Sequence, residues 1–131
     1  MIVVDTNVVV YLLTGGERGT AAARLFRQDP VWAAPGILPS ELRNVLAGLV
    51  RRGHLGLDDA LAVDADATDV LGDRIADVPG PTVLRIAVEC GLSAYDAEFV
   101  ALARALGVRL VTADGAILAG APDVAERLPE G

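Results

Sequence analysis

The sequence has no lysine, one cysteine and one histidine, and each of these shortages excludes a kind of chemistry. All 11 basic residues are arginine, so every mechanism that needs a lysine ammonium is excluded. Cys90 alone can form neither an internal disulfide nor a thiolate metal cluster. A ribonuclease mechanism that uses a pair of histidines is excluded as well, because His54 is the only histidine.

Long apolar runs are also missing, although 53% of the residues are hydrophobic. Charged residues or prolines interrupt every apolar stretch well short of the ~18 residues that a membrane span needs, so we expect no membrane segment. The first residues look like folded structure rather than like a signal peptide with a basic start, and we expect a cytoplasmic protein. The length and composition predict a single domain over residues 1–131. The net charge of −7 means that any binding of nucleic acid must be local.

The apolar pattern alternates between short strands and amphipathic helices. It predicts strands at 2–4, 31–33, 74–76, 108–112 and 124–127. Helices are predicted at 7–13, 19–28, 57–71, 82–90 and 93–106, with a long helix that follows Pro35-Gly36 and closes at 51–53, and a short one within "ADGAILAG". Strands that alternate with helices indicate a three-layer α/β/α domain with a mostly parallel central sheet.

Four acidic residues fall at the edge of the predicted sheet where such folds bind their ligands. In a parallel sheet with right-handed crossovers, all strand-to-helix turns emerge at that same edge. Asp5 directly follows the first strand, and Asp114 follows the 108–112 strand. Glu41 lies near the start of the helix after the second strand, and Asp96 lies in the first turn of its helix. Asp77, after the weak third strand, is a further candidate that the pattern leaves open.

Each of the four acids also has a purely structural interpretation. Asp5 and Asp114 can cap the helices that follow them. Ser93 with Asp96 resembles a capping box, and Glu41 can be an exposed first-turn acid that the helix dipole favours. Capping does not explain why acids occupy this one edge at four separate elements, since like charges close together cost stability unless protons or cations neutralise them.

Carboxylates without cysteine or histidine are the ligand set of a hard cation, Mg²⁺ or Mn²⁺. Such a site can activate water for attack on a phosphodiester, so the pattern favours a nuclease. Thr6 and Asn7 beside Asp5, and Thr112 beside Asp114, are short hydrogen-bonding side chains suited to orient the carboxylates. The alternative, that these three are ordinary turn and strand-end residues, stays open.

Four segments together resemble the PIN-domain nucleases: "VVDTN" at 3–7, "SELRNVL" at 40–46, "LSAYDAEFVALARALG" at 92–107 and "LVTAD" at 110–114. Over essentially its whole length the chain is similar, more closely, to the VapC-type toxins of bacterial toxin–antitoxin pairs. The resemblance places the family's acidic quartet on Asp5, Glu41, Asp96 and Asp114. It implies cleavage of RNA with Mg²⁺ or Mn²⁺, a homodimer, and a small VapB-type antitoxin whose tail enters the active-site groove.

Because the chain is acidic, contacts to RNA phosphates would have to come from local arginines, although a solvated helix face is the alternative for each. The candidates are Arg18, Arg43, Arg51, Arg52 and Arg85. A receiver-type phosphoacceptor domain or a haloacid-dehalogenase-like phosphatase would normally carry a lysine near its first acid, which this chain lacks. A non-catalytic PIN-like module that binds RNA or an antitoxin remains the alternative function. The RNA target and the number of metal ions stay open.

Overall fold

A computed structural model of the protein describes residues 1–130, and a five-stranded sheet lies at its centre. In spatial order the strands are β3 (Ile75–Ala76), β2 (Trp32–Pro35), β1 (Ile2–Val4), β4 (Leu110–Thr112) and β5 (Ala125–Arg127). All of the pairings are parallel. The predicted parallel sheet is therefore confirmed, and every crossover brings the next strand-to-helix turn to the same edge.

The middle strand β1 is buried on both faces, as its β-branched sequence predicts. Val3 lies opposite Ala33 of β2 on one side and Leu110 of β4 on the other. The ladder continues one residue beyond the strand, because the N–H of Asp5 donates to the carbonyl of Val111 over 3.3 Å. The backbone at the end of β1 is thus fixed by the sheet up to the first acidic residue.

Within residues 1–130, seven helices cover the sheet, and the predicted three-layer architecture is confirmed. They are α1 (Thr6–Thr14), α2 (Gly19–Gln28), α3 (Leu38–Arg51), α4 (Leu57–Leu71), α5 (Gly80–Cys90), α6 (Ala94–Leu106) and α7 (Gly115–Gly120). Helix α1 packs with α2, α3 and α4, while α5 packs with α6, which contacts β1, β2 and β4. Among the described residues, no helix combines the length and the apolar character that crossing a membrane requires.

The first and last residues of the strands were predicted less accurately than those of the helices. Strand β4 begins at Leu110 rather than at 108, because the N–H of Val108 donates to the carbonyl of Ala103 in the turn that closes α6. Gly107 adopts a φ of 66° at this turn, which is the left-handed conformation that favours glycine. Strand β2 extends to Pro35, where the missing N–H of proline is tolerated at the strand end.

Candidate active site

The structure brings the four acids predicted from sequence together in one pocket at the carboxyl edge of the sheet. Its cavity has a volume of about 160 Å³. Asp5 is the N-cap of α1 and Asp114 is the N-cap of α7, while Glu41 and Asp96 lie in the first turns of α3 and α6. The remaining lining residues are Thr6, Asn7, Asn44, Val45 and Phe99. Four separate helices therefore each direct one carboxylate to the same cavity.

Asp5 is the most deeply buried of the four acids, with 6% of its surface exposed. One carboxylate oxygen, Oδ1, accepts the N–H of Val8 over 3.1 Å, and the other, Oδ2, accepts the hydroxyl of Thr112. Burial raises the pKa of Asp5 to about 6, although these two hydrogen bonds act in the opposite direction. The negative charges of Asp114 and Asp96 contribute smaller parts of this rise. The ionised form of Asp5 therefore lowers the stability of the folded protein relative to the protonated form.

Thr112 connects two of the acids. Its side chain is fully buried at the end of β4, and its hydroxyl donates to Asp5 while accepting the backbone N–H of Asp114 over 2.9 Å. The hydroxyl thus fixes the Asp5 carboxylate and the first residue of the α7 cap at once. Thr112 is one of the short hydrogen-bonding residues named from the sequence, and it contacts a carboxylate that lines the pocket.

Glu41 is held by the second threonine of the pocket. The Thr6 hydroxyl donates to Oε1 of Glu41 over 2.8 Å, although 35 residues separate the two along the chain. The pKa of the Glu41 carboxyl is raised by burial and by the charge of Asp96, while the bond from Thr6 lowers it. Thr6 therefore links the start of α1 to the start of α3, and it holds the carboxylate that lines the pocket from α3.

Asp96 and Asp114 complete the pocket from the other helices. The Ser93 hydroxyl accepts the N–H of Asp96 over 3.0 Å, which caps α6 as predicted. Burial and then the charge of Asp114 raise the pKa of the Asp96 carboxyl, and a hydrogen bond with Ser93 opposes this. Asp114 caps α7 through Oδ1, which accepts the N–H groups of Ala116 and Ile117 over 2.8 and 3.2 Å.

Asp77 does not line this cavity. It lies just beyond β3 next to β2, where its Oδ1 would stand 2.7 Å from a Cβ at Gly36. Its charge acts on Glu98, whose pKa is raised by burial and by the charges of Glu41 and Asp77. Glu98 is an acid near the pocket that the sequence reasoning missed, although it follows Asp96 by two residues within the segment that carries the family resemblance.

None of the arginines predicted to contact RNA lines the acidic pocket, as far as the described residues show. Arg43 forms an ion pair with Asp64 of α4 over 3.3 Å, and it borders a groove between α3 and α4 together with Arg51. The guanidinium of Arg18 lies over the ring of Tyr11, 5.8 Å from its centroid. The other two positions are Arg52, at the end of α3, and Arg85, on α5.

Asn44 and Phe99 line the pocket without having been selected from the sequence. Asn44 follows Glu41 by three residues on α3, a spacing that places both on the same face of a helix and could have indicated it. Asn7, which was selected, also lines the pocket with an exposed side chain. The cavity therefore combines four carboxylates with two amides and one threonine hydroxyl.

A parallel α/β/α sandwich with acids gathered at the carboxyl edge of its sheet defines a class of ligand-binding or catalytic domain. Residues 2–121 match the PIN domain family, and the chain belongs to that family. No curated relative matches the chain. The resemblance to PIN-domain nucleases that the sequence motifs carried is thereby confirmed.

Several solved structures share the fold. The Pyrobaculum aerophilum protein PAE2754 is 24% identical, with a TM-score of 0.75 over 97% of this chain and 90% of that one. A toxin–antitoxin complex from Klebsiella pneumoniae is 20% identical, with a TM-score of 0.71 over the whole of both chains, 100% in each case. The Mycobacterium tuberculosis toxin VapC20, described as cleaving the sarcin–ricin loop, is 25% identical, with a TM-score of 0.64 over 88% of this chain and 91% of that one. These similarities agree with the VapC-type resemblance.

Proposed function

We propose that the protein is a metal-dependent endoribonuclease and the toxin of a VapBC-type toxin–antitoxin pair. It would hydrolyse RNA phosphodiesters with a metal-activated water. The observation that carries the proposal is the convergence of Asp5, Glu41, Asp96 and Asp114 in one pocket of a PIN domain. Since no arginine lines this pocket within residues 1–130, the chain itself offers no cation there to balance the four carboxylates.

The donor set fits Mg²⁺ or Mn²⁺, because every carboxylate oxygen is a hard ligand and no thiolate or imidazole lines the pocket in the described part of the chain. Burial and neighbouring negative charge raise the pKa of Asp5. A cation bound nearby would lower this pKa, because an opposite charge favours the ionised carboxylate. Within residues 1–130, no group of three or more acidic, histidine or cysteine side chains is arranged to hold a metal ion. The fit to a hard cation therefore rests on the donor chemistry of the cavity that the four carboxylates line.

When bound, such an ion would lower the pKa of its water and neutralise charge that develops on the phosphate. The residues of the chain supply orientation. Thr112 holds Asp5 and Thr6 holds Glu41, while the caps of α6 and α7 fix the backbone of Asp96 and Asp114. Thr6, Thr112 and Asn7 are thus proposed to position the carboxylates and substrate rather than to exchange protons.

The proposed partners are RNA, a small VapB-type antitoxin and a second copy of the chain. We also propose that residues 1–131 form one nuclease domain and that the protein acts in the cytoplasm. Exposed apolar side chains support protein partners. Leu57 and Leu61 border the groove between α3 and α4 and remain 62% and 59% exposed. Leu84 and Val88 on α5 are 64% and 77% exposed. Arg18, Arg43, Arg51, Arg52 and Arg85 remain proposed contacts to RNA outside the pocket.

The proposal is tested by incubating end-labelled RNA with the protein and Mg²⁺ or Mn²⁺, with and without EDTA. We expect cleavage that EDTA abolishes and that Asp96→Asn reduces by at least about a hundredfold, since removing one charged ligand weakens the whole site. Asp66→Asn is the matched control, because Asp66 is an exposed acid of α4 that lies outside the pocket. Cleavage that survives Asp96→Asn would contradict the assignment. Binding of RNA or antitoxin without cleavage under any of these conditions would favour the non-catalytic alternative.

A further inference from the structure

The acidic pocket contains few side chains that can donate a hydrogen bond to RNA. Its four carboxylates only accept hydrogen bonds when ionised, and the Thr6 hydroxyl is already used by Glu41. Two other lining side chains are apolar. Among the lining residues that the structure describes, the side-chain N–H donors are the amides of Asn7 and Asn44. When an RNA strand approaches the pocket, these two amides are therefore the side-chain N–H groups of the lining that can donate hydrogen bonds to it.

Asn44 lies at the rim of the pocket on α3. It shares a helix face with Glu41, which it follows by three residues, and it is exposed where Glu41 is half-buried. Across residues 1–130, the amide of Asn44 takes part in none of the side-chain hydrogen bonds. Its neighbour Arg43 turns to Asp64 on α4, 3.3 Å away. The amide of Asn44 is thus available at the point where α3 borders the cavity.

A neutral donor is better suited to this rim than an arginine. A guanidinium here would pair with the carboxylates in charge-assisted hydrogen bonds and would compete with a metal cation for them. The cavity, of about 160 Å³, is smaller than the roughly 300–1,000 Å³ of sites that enclose whole small molecules. A phosphate group rather than an entire nucleotide is the part of a strand that fits against the acids, so the available acceptors at the rim are phosphate oxygens.

We propose that Asn44 is a substrate-binding residue whose Nδ2–H donates to a non-bridging phosphate oxygen of the RNA strand at the mouth of the pocket. This assignment rests on the proposed ribonuclease function. Like Asn7, Asn44 lets a chain of net charge −7 contact an anionic backbone without placing a fixed positive charge among the carboxylates, and it does so from the α3 side of the pocket. Because the contact is made in the bound substrate as well as in the transition state, its loss affects KM more than kcat.

The test compares steady-state RNA cleavage by the wild-type protein, Asn44→Leu and Gln28→Leu. Leucine branches at Cγ as asparagine does but carries two methyl groups and no hydrogen-bond donor, and Gln28 is an exposed amide of α2 that does not line the pocket. For Asn44→Leu we expect KM to rise about tenfold, as for one hydrogen bond to a charged group, with kcat within about twofold of wild type. Gln28→Leu should match wild type, and Asn44→Gln should recover part of the loss.

Two further measurements separate this role from others. Mn²⁺ affinity, followed by electron paramagnetic resonance of the free ion, should be unchanged in Asn44→Leu because Asn44 is not assigned to the metal. The slope of log kcat/KM against log salt concentration should also be unchanged, because no charge has been removed. Thermal melting checks that the variant is folded.

The outcomes distinguish the two proposals. Absence of cleavage by the wild-type protein would overturn the ribonuclease function and, with it, the role of Asn44. Normal cleavage with an unchanged KM in Asn44→Leu would overturn only the role of Asn44. The same would follow if Mn²⁺ affinity fell. A KM increase for one of two RNA sequences but not the other would indicate a contact to a base and would overturn the phosphate assignment.

Discussion

Substituting Asp5 by asparagine should stabilise the metal-free protein at pH 7. Burial is the main reason that the pKa of Asp5 is raised from 3.8 to about 6. A difference of about two pK units corresponds to about 3 kcal/mol of unfolding free energy that the ionised form costs the folded state. Asparagine caps helices about as well as aspartate and can still accept the N–H of Val8, but its amide fits the Thr112 hydroxyl less well. Allowing about 1 kcal/mol for that mismatch, we expect a net gain of about 2 kcal/mol.

The sign of the pH dependence follows from the direction of the shift. Since the folded-state pKa of Asp5 lies above the unfolded value, the folded protein binds the proton more tightly, and this contribution to stability is fully present below about pH 4. It is lost as pH rises through about 6. The wild-type protein should therefore lose stability relative to Asp5→Asn between these limits. Glu41, Asp96 and Glu98 also have raised pKa values, so the difference between the two proteins, rather than the wild-type curve, isolates Asp5.

The assay is chemical denaturation in EDTA at a series of pH values from 4 to about 8, with Asp66→Asn as a control for replacing an exposed acid. A wild-type curve parallel to that of Asp5→Asn over this range would refute the argument that burial penalises the Asp5 charge.

Adding Mn²⁺ provides a second comparison, because an ion that binds the folded state stabilises it by mass action. We expect that gain in the wild-type protein and a much smaller one in Asp5→Asn, independently of any RNA cleavage.

Two further predictions concern contacts around the sheet edge. Thr112→Val keeps the shape of the buried side chain but removes its hydrogen bonds to Asp5 and to the backbone of the α7 cap, so it should lower the free energy of unfolding by about 2 kcal/mol. Thr112→Ser should retain most of that stability in the same denaturation experiment, and an equal loss in both variants would contradict the role of the hydroxyl. Gly120→Ala would place a Cβ 2.7 Å from the backbone carbonyl of Cys90, which cannot move without shifting α5, and should cost about 2 kcal/mol or more. Gly115→Ala, whose Cβ would meet open space in the same helix, should instead leave the melting temperature unchanged or raise it.

The fold was largely predictable because its local signals agree with its packing. The β-branched segment of β1 is buried on both faces, and the glycines that follow α5 and α6 end those helices with positive φ values. Strand β3 was the weakest prediction and is also the shortest strand, with two residues at the edge of the sheet. Strand bounds such as that of β4 depend on which carbonyl accepts one N–H, and the sequence carries no signal for that choice.

The site was predictable to the extent that strand ends determine it. Asp5 and Asp114 follow strands directly, so the parallel topology alone brings them to one edge. The side chain of Arg43 instead points towards Asp64, which lies 21 residues away on another helix. Only the packing of the two helices reveals that pair. Asn44 and Phe99 each follow an acid of the pocket by three residues, and this helical spacing could have indicated both from the sequence.

Capping and participation in the site, which were alternatives at the level of sequence, turn out to be compatible because a carboxylate has two oxygens. In Asp5 the Oδ1 atom caps α1, and Oδ2 receives the Thr112 hydroxyl. In Asp114 the Oδ1 atom alone accepts both N–H groups of the α7 cap, so Oδ2 takes no part in capping. The cap fixes the position of the carboxyl group while the other edge of the group lines the pocket. A helix N-terminus also favours negative charge, which offsets part of the repulsion among the four acids. Capping thus fixes two of the four carboxylates, those of Asp5 and Asp114, at the edge of the pocket, and it is compatible with their proposed role as metal ligands.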